Sequence, residues 1–253
     1  MKKKLNVKAY GISDVGRVRS KNEDYYALSE NVFIVADGMG GHKSGDVASK
    51  LTVETIMDFF DEQKNIYNGE FVKKNISEKI LNAIFDANSK VLEKATERRD
   101  FQGMGTTLVI AFWAYPDQLY IANVGDSRAY HLRDNNLILM SKDHSVVGKM
   151  INMGELTSEK AREHPYRNLI TQAVGLEAVI KPYYTIKNLR DGDIILLCSD
   201  GLWDMLPDEQ IKRYLLEKQD PKELCEHLVA AANEAGGTDN ITVVILYFFN
   251  NEK

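Results

Sequence analysis

Four aspartates in this chain share one local setting, in which an apolar stretch ends, a carboxylate appears and a glycine or turn residue stands beside it. Asp37 follows VFIVA and precedes Gly38; Asp126 follows Gly125 after LYIANV; Asp200 follows IILLCS and precedes Gly201; Asp239 precedes Asn240 at the entry to ITVVILYFF. Glu23 and Asp24 add two more carboxylates in RSKNED, just before YYAL. Taken singly, each is explained by ordinary turn preference, because Asp-Gly is a common turn pair. Gathered at strand ends across a sheet, they would repel one another unless divalent cations neutralised them, and an all-oxygen set selects Mg or Mn over Zn. The chemistry to expect is that of a dinuclear, carboxylate-rich site.

The stretch VFIVADGMGGHKSG, residues 32–45, tests that expectation against a phosphate-cradling loop. A Rossmann fingerprint starting at Gly38-Met39-Gly40 would need its third glycine where Lys43 stands, and a P-loop would need Gly-Lys-Ser where the chain reads His42-Lys43-Ser44. Asp37 beside bare backbone would also repel a phosphate unless a cation lay between them. The glycines instead let backbone carbonyls approach an ion for which Asp37 supplies a hard oxygen ligand.

These residues must be positioned by elements that the hydrophobic pattern outlines. Helical spacing runs over about 44–63 (Val47, Leu51, Ile56, Phe59) and about 71–98 (Ile76, Ile80, Ile84, Val91). The middle of the chain reads as a β-meander: TTLVIAFWAY, a turn at Pro116-Asp117-Gln118, LYIANVGDSRAYHL, a turn at 133–136, then LILM. Residues from about 145 to 167 are polar and weakly periodic, an excursion with short helical pieces. Strands return with YYTI and IILLCS, helices follow over about 208–217 and 221–234, and NITVVILYFF closes the chain. Strands in hairpin-connected runs and helices in separate pairs indicate an α+β fold with largely antiparallel sheets, and the absence of a Pro/Gly linker or repeat indicates one domain over 1–253.

The segments RSKNED, VADGMGGH, MGTTLV, NVGDSRAY, CSDGLWD and GTDNITVV occur in the order and approximate spacing of the PPM family, and the chain resembles its bacterial single-domain branch from about Val7 to Phe248. These are metal-dependent, phosphatase 2C type serine/threonine protein phosphatases. The resemblance implies a β-sandwich of two antiparallel sheets with a pair of helices on each outer face, metals at one end between the sheets, and a flap, here about 145–167, over the cleft. It implies that Asp37 bridges two Mn or Mg ions with the Gly38 carbonyl on one of them, that Asp200 and Asp239 bind the other, and that Glu23 and Asp24 hold metal-bound waters or complete the shell. Asp126 with Asp200 corresponds to a weaker third metal site. Arg19 matches the arginine that grips the substrate phosphate, for which its planar fork is suited. Two ions about 3.5–4 Å apart hold and activate a water, so no protein nucleophile is needed. His42 is the candidate donor to the leaving alkoxide, although Met39 holds the place after Asp-Gly where many eukaryotic members carry their histidine; a solvated loop histidine and a metal-bound water are the alternatives. Ser127 and Thr106-Thr107 are expected to pack beneath the site, and Trp203 to be core. His144, following Asp143 at the entry to the flap, stands apart from the remaining histidines, which read as structural or surface residues.

Composition narrows the rest. A net charge of −5, with no basic block beyond Lys2-Lys3-Lys4, argues against a nucleic-acid binder, and no apolar run is long enough to span a bilayer. Cys198 and Cys225 form no CxxC or paired framework and read as buried free thiols of a cytoplasmic protein. Phosphorylated proteins, and a serine/threonine kinase with its targets, are the implied partners, and nothing requires more than a monomer. The rival readings are a family member acting as a regulatory binding module and a phosphatase of small phosphoesters.

Overall fold

A computed structural model describes residues 5–40, 44–62, 75–217 and 220–250. Among these residues, eleven strands form two antiparallel sheets. The five-stranded sheet has the order β1 (Leu5–Asp14), β11 (Ile241–Asn250), β10 (Ile194–Cys198), β7 (Arg128–Arg133), β8 (Asn136–Leu139). The other has the order β2 (Asp24–Leu28), β3 (Val32–Met39), β5 (Leu108–Ala114), β6 (Gln118–Val124), β9 (Tyr183–Asn188), with the short β4 (Gly105–Thr106) paired to the end of β3.

Three apolar layers follow from the period-2 alternation of the strands. Phe33, Val35, Val109 and Ile121 from one sheet meet Ile195, Leu197, Val244 and Phe248 from the other, forming the seam of the sandwich. The opposite faces bury Ile34, Ile110 and Phe112 under α1 (Gly45–Glu62) and α2 (Ile76–Glu97), and Leu196, Val243 and Ile245 under α6 (Asp208–Glu217) and α7 (Pro221–Glu234). Strands buried on both faces lose their alternation, which is why IILLC reads as a continuous apolar run. The expected α+β sandwich with flanking helix pairs is the fold observed.

Two features depart from the sequence reading. LYIANVGDSRAYHL is not one meander strand: β6 and β7 lie in different sheets, and the chain crosses between them at Gly125, whose φ is +94°. A side chain at Gly125 would press on Thr107, so glycine serves both conformation and space. The ten-residue β1 is also absent from the elements that the hydrophobic pattern outlines; it is an edge strand whose residues are mostly half-buried, so its alternation is faint. The segment 145–167 contains α3 (Val146–Asn152), capped by the Ser145 hydroxyl, and α4 (Ser158–Arg162), capped by Thr157, as the short helical pieces anticipated.

Candidate metal centre

Both sheets end at one rim, where the strand-end carboxylates meet. Asp24 and Asp37 are register partners on β2 and β3. Asp126 sits on the crossing between β6 and β7, Asp200 opens the short helix α5 (Asp200–Trp203) directly after β10, and Asp239 lies just before β11. Asp24 and Asp126 are buried, whereas Asp37, Asp200 and Asp239 are partly exposed at the mouth. The sequence reasoning thus gathered residues that fall within one another's field.

That field is costly. Burial first, then the charges of Asp24, Asp200, Asp126 and Asp239, raise Asp37 well above the usual carboxylate range. Asp200 is raised in the same way by burial and by Asp126, Asp239 and Asp24. Burial and neighbouring Asp143 lift Asp126 to about 7. Asp24 is lifted by burial to about 6 even though the Thr242 and Ser199 hydroxyls donate to its Oδ2 at 2.6 and 2.7 Å. One buried oxygen each of Asp24, Asp126 and Asp200 has no hydrogen-bond partner. Orphaned buried carboxylate oxygens are rare because desolvation without a partner costs a few kcal/mol, and three at one rim are what a cation would satisfy. Among the described residues, no three acidic, histidine or cysteine side chains stand together at metal-ligand spacing. The donor set is nonetheless all oxygen, the set that suits Mn or Mg.

Backbone closeness at the rim is enforced by glycine. A side chain at Gly38 would strike the carbonyl oxygens of Gly45 and Glu23, and one at Gly201 would strike that of Asn240. Gly38 N–H donates to the Glu23 carbonyl at 3.1 Å, and the Ser49 hydroxyl donates to the same oxygen at 2.6 Å, so the loop holding Glu23 is fastened against β3 and α1. The Glu23 carboxyl is raised, chiefly by partial burial. Arg19 donates through Nη2 to Asp239 Oδ2 at 2.6 Å, and that bond is the main reason its already high pKa rises further. Its guanidinium is engaged by one of the candidate ligands. His42 lies outside the described residues.

Beneath the rim, Thr106 donates to the Asp37 carbonyl at 2.8 Å, Thr107 Oγ1 accepts from the Asp37 N–H at 3.1 Å, and the Thr107 and Ser127 hydroxyls share a buried 2.6 Å hydrogen bond. These hydroxyls tie β3 to the β6–β7 crossing and pack beneath the site as expected. Trp203 is only partly buried; its indole N–H donates to the Asp126 carbonyl at 3.1 Å and its ring carries the Arg128 guanidinium 3.8 Å from the centroid. Sequence reasoning missed Asn240, whose amide donates to the carbonyls of Val15 and Lys21 and accepts from the Glu23 N–H, securing the loop that carries Arg19. It also missed Ser199 and Thr242 as the hydroxyl partners of Asp24. The available signal was position alone: each adjoins or lies close to an aspartate already singled out.

The protein phosphatase 2C family model matches residues 17–236. The serine/threonine phosphatase Stp of Listeria welshimeri is 37% identical over 239 residues, covering 92% of this chain and 93% of its own. Among solved structures, the phosphatase Stp1 of Staphylococcus aureus superposes with a TM-score of 0.88 at 33% identity, covering 100% of this chain and 98% of its own. The catalytic domain of the phosphatase PstP, solved in complex with two manganese ions, superposes with a TM-score of 0.85 at 33% identity, covering 97% of this chain and 100% of its own.

Proposed function

The chain belongs to the protein phosphatase 2C family, and we infer from this that it hydrolyses phosphoserine and phosphothreonine in proteins with Mn or Mg ions as cofactors. The observation that carries the reading to particular residues is the group of strand-end aspartates in one mutual field with three unpartnered buried oxygens. Asp37, Asp200 and Asp239, with the Gly38 carbonyl, would hold two ions; Asp126 with Asp200 would hold a weaker third; Glu23 and Asp24 would support the shell. When bound, such ions lower the pKa of a water toward neutrality and offset charge on the phosphate.

The chain's own groups supply the remainder. Arg19 exchanges its bond to Asp239 for two oxygens of the substrate phosphate, orienting it and balancing equatorial charge. Ser199 and Thr242 fix Asp24 on the face opposite its free oxygen, and Asn240 holds the Arg19 loop in reach of the rim. His42 gives the leaving alkoxide its proton, a role suited to a side chain that titrates near neutral pH. The segment 145–167 acts as the flap over the cleft, within a single domain spanning 1–253. Among the described residues no helix is long and apolar enough to cross a membrane, and buried Cys198 and Cys225 are unpaired. We take the protein to work as a monomer in the cytoplasm on the targets of a serine/threonine kinase.

Phosphate release from a phosphothreonine peptide, in Mn or in EDTA, tests this for the wild type and for Asp239→Asn. Turnover in Mn that is lost in EDTA and in the variant is the expected result. A wild type inactive in saturating Mn would overturn it, and parallel release from small phosphoesters would show whether the substrate is instead a metabolite.

A further inference from the structure

A second cavity, of about 380 Å³, lies at the base of the flap and is lined by none of the rim aspartates. Lys142, Lys149 and Lys181 line it, and among the described residues no carboxylate pairs with any of the three. The one acid on its wall, Asp143, is already neutralised: Arg128 donates to both its oxygens, through Nε at 3.2 and 3.1 Å and Nη2 at 2.7 Å. Two of its neutral polar groups keep a donor to spare, whereas the Asn152 NH2 is spent on the Gly148 carbonyl at 2.6 Å. His144 Nδ1 accepts from the Gly125 N–H at 3.2 Å, which leaves Nε2 as the protonated nitrogen. Gln172 spends its oxygen on the Lys181 N–H at 2.7 Å, leaving its NH2 free. Burial, with smaller contributions from Lys142 and Lys149, lowers the His144 imidazole below its ordinary value against the pull of Asp143.

Three unpaired ammoniums, an imidazole N–H and an amide NH2 around one small cavity form a donor shell without a competing anion. We propose that this cavity is a second anion site, separate from the metal centre, which takes a small phosphate-bearing molecule. Its volume falls in the range of small-ligand pockets. Lys149 belongs to α3, whereas Lys142 and Lys181 belong to segments on either side of the flap, so an anion held by all three fastens α3 to the body of the sandwich.

The test measures binding of orthophosphate and of ATP to the full chain in EDTA, where the metal centre cannot contribute and the phosphatase reading is not at stake. Isothermal titration calorimetry gives the affinity and hydrogen exchange reports on residues 146–152. Saturable binding is expected, weakened about tenfold or more in Lys142→Ala/Lys181→Ala, with slowed exchange in α3 on binding to the wild type. Lys50→Ala/Lys90→Ala removes the same net charge from distant helix surfaces and should bind as the wild type does. Much tighter binding of ATP would identify a polyphosphate ligand, and equal binding a simple phosphate. The proposal falls if no saturable binding occurs in EDTA, if the cavity variant binds normally, if both double variants lose affinity equally, or if α3 exchange is unmoved.

Discussion

Metal-free protein should lose stability as pH rises through neutrality, and the rim aspartates set the size of the effect. Asp126 rises from 3.8 to about 7 and Asp24 from 3.8 to about 6 on folding, through burial above all. The folded state therefore holds protons that the unfolded chain has released, so stability is greatest at low pH within this window and falls as pH climbs through the folded values. One unit corresponds to about 1.36 kcal/mol, so Asp126 alone removes about 2 kcal/mol between about pH 5.5 and about pH 7. Asp24 adds somewhat less than about 1 kcal/mol over the same interval, and Asp37 and Asp200 act in the same direction. At about 2–4 °C per kcal/mol for a chain of this size, the melting midpoint in EDTA should drop by about 5–10 °C between about pH 5.5 and about pH 8. Circular-dichroism melts in EDTA and in saturating Mn measure it. Mn should raise the midpoint and flatten the profile, and Asp126→Asn should flatten the EDTA profile in part. A midpoint in EDTA that stays level or climbs over that interval would refute the claim that these carboxylates share a buried field.

Three further outcomes can be checked directly. Gly201→Ala places a methyl group against the Asn240 carbonyl and should destabilise the fold by about 2–3 kcal/mol in denaturant melts while reducing Mn-dependent turnover. Thr107→Val leaves the buried Ser127 hydroxyl without its partner and should cost about 1–3 kcal/mol, read from the shift in the urea midpoint. Asn240→Ala frees the loop bearing Arg19, and steady-state kinetics on a phosphopeptide should show turnover reduced by about tenfold or more, with folding retained in far-ultraviolet spectra.

The fold was readable where packing leaves a period. The amphipathic repeats of α1 and α2, and the boundaries of α6 and α7, follow from which side chains face the sheets. Asp37, Asp126, Asp200 and Asp239 stood out because each marks a change between apolar strand and turn. The crossing at Gly125 was hidden because GDS sits between two apolar segments, and nothing in residue type says that the following strand joins another sheet. Asn240, Ser199 and Thr242 were equally silent. Their importance lies in hydrogen bonds to loops and strands distant in sequence, and their residue types are common on any strand end.

The placement of β11 has a consequence for biosynthesis. Among the described strands it comes last in chain order, yet it lies between β1 and β10, pairing over ten residues with β1, and Asp239 stands at its threshold. While the ribosome still covers that segment, β1 has no neighbour in its sheet, the seam lacks Val244, Leu246 and Phe248, and the rim lacks an aspartate. Elements such as α1, α2 and β3 to β6 pack without β11, but the rim and the seam stay incomplete until β11 has joined. Any product that stops short of Asp239 therefore lacks β11 and one of the rim carboxylates together.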